Sequence, residues 1–215
     1  MNTRLKARLL GGGAAILILA AAQVALAGGS YKPQRPIVTV SDMNVFPNGP
    51  AVVGASVMTR DHSGVDATVS TTGLSPAGAY SWWWVVFNRP QYCVGGCGLD
   101  DLPVGATPVS NGDPRVRASL LWGGGFVSDD TGAANAAARL ERRAPPGEVL
   151  FGPGLANVKR AEIHVVLRSH GEAVAGEVAE QIGSFNGGCT PEEITAGQCP
   201  NVNVQSAAHP GQGTQ

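Results

Sequence analysis

The run GLSPAGAYSWWWVVF, Gly73 to Phe87, decides the fold. Gly73, Pro76 and Gly78 take the chain through a sharp turn, and the aromatic and β-branched residues behind them have the composition of a buried strand. Leu74, Pro76 and Tyr80 stand in the spacing Leu-x-Pro-x-x-x-Tyr. Strand alternation sends Trp82 and Trp84 to one face and Trp83, Val85 and Phe87 to the other. The second set reads as core. The first set is core where both faces are covered, the simpler case, and a flat apolar platform for a sugar ring where one edge stays open. Three consecutive tryptophans exceed what one buried face needs, so Trp82 and Trp84 are ligand-binding candidates, with carbohydrate as the ligand.

Outward from this run, 30 Gly and 15 Pro are spread as punctuation between short apolar stretches. That pattern predicts many short strands joined by turns. Strands are expected near Ile37 to Val40, Ala51 to Thr59, Val65 to Thr72, Tyr80 to Phe87, Val116 to Trp122, Gly125 to Ser128, Ala133 to Leu140, Ala161 to Leu167 and Val202 to Ala207. Val65, Ala67 and Val69 oppose Asp66, Thr68 and Ser70, the signature of a strand with one wet face. Asp61-His62-Ser63-Gly64 and Asp129-Asp130-Thr131-Gly132 read as hairpin turns. Gly123-Gly124-Gly125 and Gly152-Pro153-Gly154 lack the strand-then-helix context of a phosphate cradle and read as turns or a bulge. Val174, Val178 and Ile182 recur every four residues and predict a short helix over Val174 to Ile182, closed by Gly187-Gly188. No internal repeat points to a propeller or solenoid.

The first residues carry Arg4, Lys6 and Arg8 without an acid, followed by an apolar run that ends in Ala25-Leu26-Ala27. A basic start, an apolar middle and an A-x-A end describe a secretory signal peptide over 1–27, cleaved before Gly28. The alternative is an uncleaved anchor, the chain's one route to a membrane. Cleavage leaves 188 of the 215 residues, with twelve basic and sixteen acidic side chains, a net charge of −4. Such a surface offers nothing to nucleic acid. The organisation is then a flexible segment 28–36, one domain 37–208 and a flexible tail 209–215.

Cys93, Cys97, Cys189 and Cys199 all follow the leader and fall as two local pairs in Gly-rich loops. An even number in an exported chain points to disulfides, with Cys93 to Cys97 and Cys189 to Cys199 as the preferred pairing of three. A four-thiolate zinc site is the competing possibility, though the spacing is not the paired C-x2-C form.

Candidate chemistry concentrates on the strand from Ala161 to His170. Its alternation puts Ala161, Ile163, Val165 and Leu167 on one face and Glu162, His164, Val166, Arg168 and His170 on the other. His164 and His170 would be roughly 20 Å apart on a straight strand, too far to share a metal. Glu162 and His164, about 7 Å apart, could hold a metal with a third group from His62 or His209, the other two histidines. The plainer alternative is a mutually paired, exposed polar face. Asp100, Asp101, Asp113, Asp129 and Asp130 are not arranged as a D-x-D-x-D-G calcium loop. No G-x-S-x-G, H-E-x-x-H or thiol-protease signature is present, which lowers the expectation of an enzyme without excluding one. No cofactor is implied.

The Leu74, Pro76 and Tyr80 spacing resembles the tyrosine corner of immunoglobulin-like and fibronectin-type sandwiches, in which the Tyr hydroxyl bonds backbone a few residues upstream. SWWWVVFN with its following Cys93, FGPGLANVKRAEIHVVLRSHGEAV and EQIGSFNGGC are similar to a group of exported bacterial proteins of no assigned activity. A second similarity is to secreted sandwiches of the chordin-domain or copper-zinc superoxide dismutase kind, through Ala161-Glu162-Ile163-His164. The His-x-His pair that would build a copper site is absent, which speaks against dismutase chemistry. The expectation is an all-β, immunoglobulin-like antiparallel sandwich of eight or nine strands, with one short helix and disulfided loops. Its expected function is that of a secreted or periplasmic, non-catalytic binding module, with a carbohydrate or another envelope protein as partner. The alternatives are a metal protein built on His164 and Glu162, and a structural envelope component.

Overall fold

A computed structural model describes residues 35–46, 49, 51–104, 110–143 and 148–213, which belong to one compact unit. The leader expected at 1–27 and most of the 28–36 segment lie outside the described residues. Nine strands form: β1 (Ile37–Val45), β2 (Val52–Arg60), β3 (Gly64–Thr71), β4 (Gly78–Phe87), β5 (Ala118–Val127), β6 (Ala134–Glu141), β7 (Val149–Phe151), β8 (Glu162–Glu172) and β9 (Val202–His209). All pair antiparallel in one sheet of order β6-β3-β2-β1-β9-β8-β4-β5-β7. Among the described residues, helix is limited to α1 (Val178–Gln181), α2 (Pro191–Thr195) and three short 3-10 turns.

The two halves of the sheet meet at β1 and β9. β1 pairs with β2 from Ile37 to Asn44, and at its end Asn44 and Val45 also pair with Ser206 and Gln205 of β9. The sheet curls about this seam, so the inward faces of β1, β2, β3 and β6 meet those of β4, β5, β8 and β9. Met43, Met58, Val65, Ala67, Val69 and Leu140 from the first half pack with Trp82, Trp84, Val86, Leu121, Ile163, Val165, Leu167 and Ala207 from the second. Alternation in β3 is as expected, with Val65, Ala67 and Val69 buried and Asp66, Thr68 and Ser70 exposed.

A second core lies on the outward face of the β9-β8-β4-β5 half. Trp83, Val85, Phe87, Ala118, Leu120 and Val166 project there and are covered by Leu102, Val116, Tyr92 and Phe185 from the connections after β4 and β8. Both connections carry the disulfides, Cys93–Cys97 and Cys189–Cys199, and no described cysteine is free, which removes the zinc alternative. At the corner before β4, the Ser75 N–H donates to the Tyr80 hydroxyl at 2.8 Å, the upstream backbone bond expected of the spacing.

Several local expectations are corrected. The two strands expected at Val116 to Trp122 and Gly125 to Ser128 are one strand, β5, interrupted by a bulge: Trp82 opposes Gly124, Trp83 opposes Trp122, and Gly123 is the extra residue. Gly123 is required there, because a Cβ would lie 2.6 Å from Trp84 Nε1 and 2.7 Å from Trp82 Cδ1. Asp61–Gly64 joins the paired strands β2 and β3, but Asp129–Gly132 is not a hairpin turn, since β5 pairs with β4 and β7 while β6 pairs with β3. The helix expected over Val174 to Ile182 forms only at Val178–Gln181, because Gly176, at φ 89, stands ahead of its first turn. The tail expected from residue 209 begins later: His209 is the last residue of β9 and is fully buried.

Candidate functional site

The outward row of β8 positions the charged candidates. Its inward residues Ile163, Val165 and Leu167 are locked in the main core, and this fixes Glu162, His164, Val166, Arg168 and His170 on the opposite face. His164 Nε2 and Glu162 Oε1 are 2.7 Å apart, with both side chains about four-fifths buried. The Phe87 ring stands edge-on to the imidazole at 5.1 Å. These residues line a cleft of about 650 Å³, which continues over Val85 and Val166. One wall is the stapled loop Gly96 to Asp100, and the other includes Phe46, Ser206 and Ala208. Glu162 Oε2 and His164 Nδ1 make no hydrogen bond among the described residues, so the pair presents an acceptor and an imidazole nitrogen to whatever enters.

Arg168 and His170 belong to a separate cluster at the other end of the row. The Arg168 guanidinium lies over the Trp83 ring at 4.7 Å and donates to the Asn201 carbonyl at 2.8 Å and to the Asn201 side-chain oxygen. Burial lowers its pKa. Trp83 Nε1–H donates to Ser81 Oγ at 2.9 Å, and Ser81 Oγ is 2.8 Å from His170 Nε2. Burial, followed by the Arg168 charge, pushes the His170 pKa down to about 4, which keeps the ring neutral at pH 7. These contacts engage the Arg168 guanidinium and the His170 ring, so the polar row expected as one site is two: a pair on the cleft and a separate cluster tied to Trp83, Ser81 and Asn201.

Trp82 and Trp84 do not form the open platform. They are 1% and 0% exposed, with ring centroids 5.0 Å apart in the main core, and no sugar ring can reach either face. Their indole N–H groups have no hydrogen-bond partner. Both faces of β4 are covered, one by the opposite half of the sheet and one by loops, and this accounts for the three consecutive tryptophans.

Among the described residues, no third ligand joins Glu162 and His164. His62 is exposed in the β2–β3 turn. His209 pairs opposite Ile163 and therefore faces the interior, with Nδ1 2.9 Å from Thr39 Oγ1 and Nε2 2.9 Å from Ser56 Oγ. Among the described residues no three His, Cys, Asp or Glu side chains gather as a metal site.

Sequence reasoning missed Arg60, which is 1% exposed at the end of β2. Its guanidinium donates to the carbonyls of Val158, Ala161, His209 and Pro210 at 2.9, 2.7, 2.9 and 3.3 Å, tying the end of β9 to the approach to β8. Burial lowers its pKa to about 10, and attraction to Glu162 partly offsets that. His209 is pushed down to about 4 by burial, with Arg60 and His164 adding to the effect. Strand parity was the available signal, since Ser56, Met58 and Arg60 share one face of β2.

No family model matches this chain, and no curated protein matches its sequence.

Proposed function

We propose that this chain is an exported, non-catalytic binding module, secreted or periplasmic, whose ligand site is the cleft over Glu162 and His164. The observation that carries the reading is the Glu162–His164 pair, hydrogen-bonded and largely buried, on the floor of a cleft walled by a disulfide-stapled loop. A concave, mostly apolar site with a few converging polar groups is the usual form of a small-ligand pocket. Export is supported by the leader pattern in the first 27 residues and by two disulfides, which persist in oxidising compartments. We read the curled sheet as a sandwich that is immunoglobulin-like in its corner, a reading supported by the Tyr80–Ser75 bond and by the core held between the two halves.

The test is a fragment screen by amide chemical shift on the cleaved protein, residues 28–215. Hits should move the amides of Glu162 to Val166 together with those of Gly96 to Asp100. A screen whose hits all map away from both segments overturns the reading.

A further inference from the structure

We propose that the cleft takes a protonated organic amine carried on an apolar body, with the ammonium bound at Glu162. This rests on the binding reading above and names the chemistry of its ligand. Two carboxylates, Glu162 and Asp100, line the cleft, and among the described lining residues there is no Lys or Arg. An anionic ligand would enter against two like charges with no Lys or Arg in the lining to receive it, since Arg60, which attracts Glu162, donates to backbone carbonyls outside the cleft.

Glu162 separates the remaining possibilities. One of its oxygens is held by His164, and the other has no hydrogen-bond partner among the described residues, on a side chain only 19% exposed. A neutral apolar ligand would strip the remaining water from that oxygen and put nothing in its place, which costs free energy for any buried polar group. An ammonium donates to it directly, and charge-assisted hydrogen bonds strengthen as water is excluded. The rest of the cleft suits the body of such a ligand, because Phe46 and Leu99 supply apolar surface beside the acidic floor and the edges of Val85 and Val166 add to it. A volume of about 650 Å³ accommodates a ring or short chain beyond the amine.

The experiment compares three probes of the same shape on the cleaved protein at pH 7: phenethylamine, phenethyl alcohol and hydrocinnamate. Affinity is read by calorimetry and location by amide shifts at Glu162 to Val166 and Gly96 to Asp100. The amine should bind about tenfold more tightly than the alcohol, the carboxylate more weakly than either, and Glu162→Gln should bring the amine down to the level of the alcohol. The amine inference is overturned, with the binding cleft left standing, if amine and alcohol shift the same amides with equal affinity, or if the preference survives in Glu162→Gln. It is also overturned if none of the probes shifts those amides, in which case the fragment screen decides the broader reading. Comparison of amine with alcohol on the unmodified protein settles the matter even where Glu162→Gln fails to fold beside the buried Arg60.

Discussion

Trp83 and Trp84 are neighbours on β4 and meet opposite surroundings. Trp84 points inward, is 0% exposed, and packs with Trp82 against a second layer of strands, close enough to Gly123 that a side chain there would collide with both rings. Trp83 points outward and is held by an edge contact with Phe185 at 4.8 Å, by the Arg168 guanidinium and by Ser81. The inner face is closed by strands, whose backbone positions are fixed by hydrogen-bonded ladders. The outer face is closed by connections that the disulfides restrain. A sheet covered by loops need not be covered completely, and the cleft lies where the stapled loop arches over Phe87 and His164. Difference in cover thus separates the part of the molecule that holds the fold from the part that leaves a cleft open.

The largest effect expected from this contrast is in the tryptophans themselves. Trp84→Ala should cost about 3–5 kcal/mol, because a cavity between two strand layers relaxes little. Trp83→Ala should fall at or below the low end of that range, because Phe185 and its loop can settle into the space. Urea unfolding of both variants measures the difference. Equal losses would break the contrast between the two faces.

A pH titration adds one group on each side. His209 is buried in the interior and His170 on the outer face, and both have pKa values pushed down to about 4 from an ordinary 6.5. Between those values the unfolded chain binds protons that the folded chain refuses, so stability is full above about pH 6.5 and is lost as pH falls toward 4. Each histidine accounts for a loss on the order of 3 kcal/mol. Asp61, lowered to about 2 chiefly by its bond from the Ser63 hydroxyl, keeps its contribution above its ordinary value of 3.8 and loses it only below, which leaves this window clear. Unfolding midpoints that stay level from pH 7 to 4.5 would contradict the burial of both rings.

What the sequence could convey follows the same division. The corner at Tyr80, the one-sided alternation of β3, the two faces of β8 and both disulfides depend on residues a few positions apart, and each was legible. The seam between β1 and β9 pairs Asn44 with Ser206, and no local pattern encodes such a distant partner. For the same reason the Asp129 to Gly132 turn looked like a hairpin although it carries the chain between strands that pair elsewhere. Glu162 and His164 were legible as a pair on one face. Their cleft was not, since it is made by the loop from Gly96 to Asp100, more than sixty residues earlier in the chain. Trp82 and Trp84 were ambiguous because alternation tells which side chains share a face and is silent about what covers it.

The staple on the outer face gives the next effect. Cys93 and Cys97 are four residues apart, so replacing both by Ser frees a very short loop and should cost about 2 kcal/mol. The discriminating result is spatial. Amide exchange should accelerate in residues 93–101 and around His164, while the inner strands β3 and β6 stay protected. Exchange that rises equally in β3 would mean that the loop and the inner core unfold as one unit.

The smallest effect comes from the remaining outward face, on the β6-β3-β2-β1 half, where Val38, Val40 and Val57 are 57%, 69% and 38% exposed. Arg139 of β6 reaches across to Asp66 of β3, which sits opposite it, and donates to its carboxylate at 2.6 Å. The bond is as short as those in the buried clusters, yet the Asp66 side chain is 57% exposed, so water competes for both partners and salt screens them. Asp66→Asn should therefore cost no more than about 0.5 kcal/mol, and the loss should vanish in high salt. Placed beside Trp84→Ala, this variant tests whether cover decides the worth of a contact on this sheet. A loss above about 1 kcal/mol, unaffected by salt, would show that the half-sheet draws real stability from its uncovered side, and the inner face would no longer account alone for the fold.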